Sequence, residues 1–210
     1  LLCRWHPLRP VNKQARGNIL VVGSGPSGIS ASYYLAQNPN LQIDLIDGMA
    51  IAKLPSALLG QPIKNFWQLA DQYHSDYAGD GFGGVAAYGI TNRWDKRFLL
   101  AIRLLLARHQ NISIIGGLRF GSNISLEQAL ASGYQHIFYA PGAGKPKIPD
   151  VPQAVDYKGC RMAAGFLMEL QQSKPYRHDS CSTLTIRLPV IVVGGGLTAI
   201  DTATEAAAYY

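Results

Sequence analysis

Cysteine is scarce in this 210-residue sequence, acids are few, and long apolar runs are absent. The three cysteines, Cys3, Cys160 and Cys181, stand alone. No Cys-x-x-x-x-Cys pair offers a dithiol redox centre and no spacing suits a metal, which fits a reducing, cytoplasmic setting. His6, His74, His136 and His178 show no mutual metal-type spacing either. No apolar stretch approaches the ~18 residues of a membrane span. Leu1-Leu2-Cys3 lacks the charged and apolar segments that precede a lipoprotein processing site. Thirteen acids face 19 lysines and arginines, a formal charge of +6. The basic residues are scattered, without a block interleaved with aromatics. That argues against a nucleic-acid surface and leaves a solvated basic exterior or an anionic cofactor. What is plentiful is glycine, 22 residues, in a chain 48% hydrophobic, the composition of a soluble α/β protein able to bury a core.

The glycines are ordered most sharply at Asn18 to Gly28, Asn-Ile-Leu-Val-Val-Gly-Ser-Gly-Pro-Ser-Gly. Ile19 to Val22 are apolar without alternation, as in a parallel strand buried on both faces. Gly23, Gly25 and Gly28 form G-x-G-x-x-G: a tight turn, a backbone open to a pyrophosphate, and a close helix–strand contact. The helix expected from Pro26 to Gln37 tolerates proline in its first turn, and with Ser27 beside it points unsatisfied N–H groups at phosphate. After the breaker Asn38-Pro39-Asn40 comes a strand, Gln42 to Ile46, ending in Asp47-Gly48. Asp47 follows Gly28 by nineteen positions, close to the ~20 at which an acid binds an adenosine ribose hydroxyl.

Residues 1–17 have no periodicity and are expected to form a connecting arm. Ala52 to Pro62 is expected as a loop, Ile63 to Tyr77 as a weak helix, and Gly79 to Ile90 is dense in glycine. A helix opening at Asp95 repeats Phe98, Ile102, Leu105 and His109 on one face, with Lys96 and Arg103 on another. His109 is expected to serve the dipole at that helix's C-terminus. A strand at Ile112 to Ile115, a helix at Ser125 to Ser132 capped by Ser125, and a strand at Ile137 to Ala140 follow. Pro141-Gly142-Ala143-Gly144 closes this region, and Lys145 to Pro152 crosses to the next. A helix from Met162 to Gln172 turns Ala163, Phe166, Leu167 and Leu170 to one side, before a polar loop from Ser173 to Leu188. A second buried strand is expected at Pro189 to Val193. It leads into Gly194-Gly195-Gly196-Leu197-Thr198-Ala199, a G-x-G-x-x-A turn opening another helix. Two such turns imply two nucleotides.

These motifs resemble the FAD-dependent pyridine-nucleotide oxidoreductases, and among them the glutamate synthase small-subunit and adrenodoxin reductase-like branch. GSGPSG with Asp47 is shared by many flavoproteins. Gly83-Gly84-Val85-Ala86-Ala87-Tyr88-Gly89-Ile90 is similar to the segment that lies along the flavin in that branch. GGGLTAID, Gly194 to Asp201, is similar to its NAD(P)H signature, and Tyr139-Ala140-Pro141-Gly142-Ala143 to the turn that returns the chain to FAD. Leu197 stands where the branch has Asn, Thr204 where it has Arg, and Thr91 to Lys96 departs from the usual continuation. The sequence thus resembles a divergent member, and not a disulfide reductase of the glutathione reductase type.

The resemblance implies an α/β fold: a Rossmann-like FAD-binding domain over 18–150, and over 151–210 the start of an inserted Rossmann-like NAD(P)H-binding domain, cut within a longer protein. It implies cofactor contacts from Gly23, Gly25, Pro26, Ser27, Gly28, Asp47 and Gly48, from Gly84 and Val85, and from Gly142 and Ala143. Gly194, Gly196, Leu197, Thr198, Ala199 and Asp201 would serve the second nucleotide. Hydride would pass from NAD(P)H to FAD, and electrons onward to an iron–sulfur centre or partner protein, with no catalytic triad. The 210 residues alone are expected not to turn over. Gly84 and Val85 also read as a plain glycine loop, Asp201 as a solvent-facing helix residue, and Arg93 to Lys96 as a helix start or as a guide for an acceptor. A single-cofactor NAD-dependent dehydrogenase and a non-catalytic nucleotide-binding subunit remain the alternatives.

Overall fold

The computed structural model describes residues 17–51, 54–77, 97–148, 150, 157–173 and 180–209. Residues 1–16 of the expected arm, the glycine-rich segment with Gly84 and Val85, and the cluster Arg93 to Lys96 lie outside the described residues, while Gly17, expected in the arm, opens the first strand. The chain forms two compact units, one whose described residues end at Gly142 and one that runs on from Ala143.

The first unit is built on four parallel strands, β1 (Gly17–Val22), β2 (Leu41–Asp47), β3 (Ile112–Gly116) and β4 (His136–Tyr139), in the order β3-β2-β1-β4. β1 is central and buried at every residue, which is why its sequence lacks alternation. Leu20 and Val21 are fully enclosed, and each such aliphatic contributes ~2 kcal/mol. One sheet face, with Ile19, Val21, Ile43, Leu45 and Ile112, packs against α1 (Pro26–Leu35) and α4 (Arg97–Ala107). The other face, with Leu20, Val22 and Ile46, is covered by Ile124, Ala129 and Tyr134 around α5 (Leu126–Ala131). α5 opens with a capping box: Ser125 Oγ accepts from the Gln128 amide at 3.2 Å, and Gln128 Oε1 from the Ser125 amide at 2.8 Å.

Two helices and one residue of the first unit differ from expectation. The segment expected as a loop holds a short helix, α2 (Ser56–Gly60). Arg108, distant in sequence, donates to Leu58 O at 2.7 Å and Gln61 O at 2.6 Å, covering the carbonyls that α2 leaves unpaired. The apolar face of α4 is also broader than one stripe. Leu99 and Leu106 face the sheet, while Leu100 and Leu104 face Ala70 of α3 (Phe66–Tyr77). Arg103 is buried and Leu105 is half exposed, the reverse of their expected roles, because α4 is sandwiched between two layers. His109 lies beyond the helix end and packs edge-on against Tyr33, ring centroids 5.7 Å apart.

At the opposite end of the sheet from the glycine turn, Asn111 gathers three carbonyls. Its Nδ2 donates to Ala36 O (3.1 Å), Asn38 O (3.1 Å) and Leu41 O (3.0 Å), joining the end of α1, the following turn and the start of β2 to the entry of β3.

The second unit pairs α6 (Ala163–Ser173) with α7 (Leu197–Tyr209) through Phe166, Leu167, Leu170 and Ala206. Leu184, within the stretch expected as a polar loop, joins this core, and its carbonyl accepts from Tyr209 Oη at 3.2 Å. The strand expected at Pro189 to Val193 is not formed: Ile191 is 84% exposed and Val193 86%. A strand needs a neighbour for its backbone groups, and no strand among the described residues of this unit supplies one.

Candidate functional site

In an open parallel sheet, ligands bind beyond the carboxyl ends of the strands. Here those ends carry the first glycine turn. Gly23 follows β1 at φ +100° and donates to Ile46 O at 2.8 Å. A Cβ at Gly23 would strike the carbonyl of Ala140 at the end of β4, and one at Gly28 would strike the carbonyl of Gly23. Both positions therefore require glycine, and they lock turn, helix and β4 together. Gly25 differs: a Cβ there meets nothing within 4 Å.

Gly25 is the N-cap of α1, with Pro26 in the first turn, and no side chain caps the helix. The first intrahelical bond is Ile29 N–H to Gly25 O, 3.0 Å, so the amides of Ser27 and Gly28 have no acceptor within the helix. No acid lies in the first turn to offset the dipole. An open glycine before an uncapped helix fits a pyrophosphate, and the residues present therefore suit a dinucleotide.

Asp47 ends β2 beside this turn. Its Oδ2 accepts from the Ser24 amide and the Ser24 hydroxyl, both at 2.7 Å, and its Oδ1 from the Met49 amide at 2.8 Å. A carboxylate has ~4 acceptor positions, so one, on Oδ1, remains open. Ser24, fully buried, is the site residue that the sequence reading missed. The signal was its place between two motif glycines, where a small donor faces the acid. Gly48 follows, with the Arg119 side chain lying against it: a Cβ at Gly48 would stand 3.0 Å from Nε. The loop bearing Arg119 is fixed to this edge by Gly117 N–H to Met49 O, 2.7 Å, and Leu118 N–H to Asp47 O, 2.9 Å. Gly142, at φ +76°, follows the β4 end that abuts Gly23, and Ala143 comes next in sequence.

Gly23, Gly25, Pro26, Ser27, Gly28, Asp47, Gly48 and Gly142 are thus gathered at one end of one sheet. Gly194, Gly196, Leu197, Thr198, Ala199 and Asp201 belong to the second unit. There Gly194 has φ +129° and a Cβ would lie in ordinary contact with Ala199, 3.6 Å, while Gly196 is open. Ile200 N–H bonds to Gly196 O at 3.1 Å, leaving the amides of Thr198 and Leu197 outside the helix ladder. Asp201 is 6% exposed and shares the inward face of α7 with Thr202, Glu205 and Ala206. That corrects the solvent-facing reading.

Asp44, a buried acid of β2, lies mid-strand, away from these ends. Tyr134 Oη donates to its Oδ2 at 2.6 Å. Burial first, then this hydrogen bond and the Asp44 charge, push the Tyr134 phenol well above its usual range. Among the described residues no group of three or more His, Cys, Asp or Glu could hold a metal, and no helix is long and apolar enough to cross a membrane.

The parallel sheet with its flanking helices is an α/β, Rossmann-like fold. Residues 17–209 match the pyridine nucleotide-disulphide oxidoreductase family, and the chain belongs to it. It is 43% identical over 214 aligned positions to an uncharacterized protein of Rickettsia prowazekii (strain Madrid E), covering all of this chain and 30% of that one. It is also 29% identical over 201 positions to the NADPH-Fe(3+) oxidoreductase subunit beta of Geobacter sulfurreducens, covering 93% of this chain and 24% of the relative. The chain thus spans about a quarter to a third of the length of these relatives.

Proposed function

We propose that the chain is the nucleotide-binding part of a flavoprotein oxidoreductase that takes hydride from NAD(P)H onto FAD and passes electrons to an iron–sulfur centre or partner protein. On this reading it is a divergent member of the glutamate synthase small-subunit-like branch. Residues 18–150 are the first part of the FAD-binding domain, and 151–210 the start of the NAD(P)H-binding domain. The observation that carries it is the open turn at Gly25 over an uncapped α1, with Asp47 held beside it by Ser24 and Met49. Support comes also from the relative named as acting with NADPH and Fe(3+).

When bound, the flavin supplies the hydride-accepting and electron-passing chemistry. The chain's own residues bind and orient. The amides of Ser27 and Gly28 meet the pyrophosphate, and the α1 dipole favours its charge. Asp47 takes one ribose hydroxyl on Oδ1 while Ser24 and Met49 fix its plane. Gly194 to Ala199 meet the second nucleotide in the same way, and Gly84, Val85, Gly142 and Ala143 belong to the flavin side. Asp201, enclosed by its own unit, would shape the junction between flavin and nicotinamide.

The test is an anaerobic absorption spectrum of the whole protein before and after NADPH and then NADH. Flavin bands that bleach with one donor are expected. A protein that stays colourless after incubation with FAD overturns the reading, and a flavin that neither donor bleaches reduces it to nucleotide holding.

A further inference from the structure

Resting on the nucleotide reading of the first glycine turn, we propose that Arg119 forms the adenine wall of that site, its guanidinium stacking on the purine face. The placement follows from the order of the strands. Phosphate belongs over the turn after β1 and ribose at Asp47 after β2. Strands are spaced ~4.8 Å apart, so one further step along the ligand leads to the end of β3, where the loop carrying Arg119 begins.

That loop is held to the ribose edge by the Gly117 and Leu118 amides, and Asn123 Oδ1 accepts from the Arg119 amide at 2.9 Å. The side chain then crosses Gly48, which has no Cβ to obstruct it: such an atom would lie 3.0 Å from Arg119 Nε, 3.4 Å from its Cβ and 3.6 Å from its Cγ. The residue is exposed, and its guanidinium makes no ion pair with a described residue. Asp47, the acid that immediately precedes Gly48, is already engaged by Ser24 and Met49. A cation beside a ribose acid has two uses. It can grip a 2′-phosphate, or it can lie flat on the base. The carboxylate of Asp47 stands where a 2′-phosphate would come, and like charges exclude it. Planar stacking is the use that remains, and it recognises an adenosine nucleotide without a 2′-phosphate.

The experiment is calorimetric titration of the flavin-stripped whole protein with FAD and, with saturating NADP+ present to fill the second glycine turn, with ADP. It compares wild type with Arg119→Ala and Arg119→Lys, with circular dichroism to confirm folding. Arg119→Ala is expected to weaken both FAD and ADP by ~3- to 30-fold, and Arg119→Lys, which keeps the charge and loses the plane, to recover only part of this. Full recovery by lysine, or unchanged ADP affinity in Arg119→Ala, would each overturn the stacking role while leaving the nucleotide site standing. Wild-type protein that binds neither FAD nor ADP would remove the site itself, and the proposal with it.

Discussion

A Cβ at Gly28 would run into the carbonyl of Gly23, whereas one at Gly25 would meet only open space. Gly28→Ala should therefore cost ~2–3 kcal/mol of stability by overpacking. Gly25→Ala should cost only ~0.5–1 kcal/mol, as a poorer N-cap, yet lower FAD affinity at least tenfold; paired thermal melts and titrations separate the two effects. Equal loss of stability in both variants would mean that Gly25 is structural. Tyr134 makes a different prediction. Its folded pKa is raised, while the unfolded phenol ionises at about 10. Its contribution is therefore complete below pH 10 and declines as pH rises further, by up to ~1.4 kcal/mol per pH unit. Tyr134→Phe should abolish that slope in denaturant titrations between pH 9 and 12. At pH 7 it should cost ~2–3 kcal/mol, because Asp44 loses its partner at Oδ2 and Oδ1 has none among the described residues.

Among the elements, β1 and residues 189–193 carry nearly the same apolar, β-branched sequence and have opposite fates. β1 lies between β2 and β4, and residues 189–193 lie beside no described strand. Hydrogen exchange on this chain should protect the amides of Ile19 to Val22 to nearly the global stability, and leave Ile191 to Val193 exchanging freely. Protection at Val193 equal to that at Val21 would contradict the exposure seen. Pattern alone declared the β1–α1–β2 unit and the Ser125 cap, because each is written in consecutive residues: a glycine turn, an apolar run, a capping box. It missed α2, whose support comes from Arg108 some fifty positions away, and it misassigned the faces of α4, whose second apolar side exists only because α3 packs there. Periodicity reports how many faces are apolar only when a helix has one neighbour. The acid at Asp47 was legible from its spacing, but the Ser24 bonds that aim it were not, since they depend on how far β2 runs past the turn.

Over these 210 residues taken together, a charge of +6 favours encounter with an anionic dinucleotide. Raising ionic strength from ~0.01 to ~0.15 M shortens the screening length from ~30 to ~8 Å. Association of FAD with the stripped protein should therefore slow several-fold in stopped-flow fluorescence, with dissociation little changed. An equal effect on dissociation would point instead to direct phosphate pairing by surface lysines or arginines. The glycine turns point to a family but not to a reaction: turns of this kind are shared by many oxidoreductases, and these residues span only part of the relatives they match.

Asn111 brings a vulnerability of its own. One amide group serves three carbonyl oxygens there, and replacing its nitrogen with oxygen alters the shape hardly at all while removing every proton it offers. Asn111→Asp, the change that spontaneous deamidation also makes, would set a negative charge against three negative dipoles. It should therefore destabilise more than the far larger truncation Asn111→Ala, and recover in part below pH ~4, where the carboxyl regains a proton. A single chemical change at this nitrogen would thus reach α1, β2 and β3 together, at the end of the sheet opposite the first glycine turn.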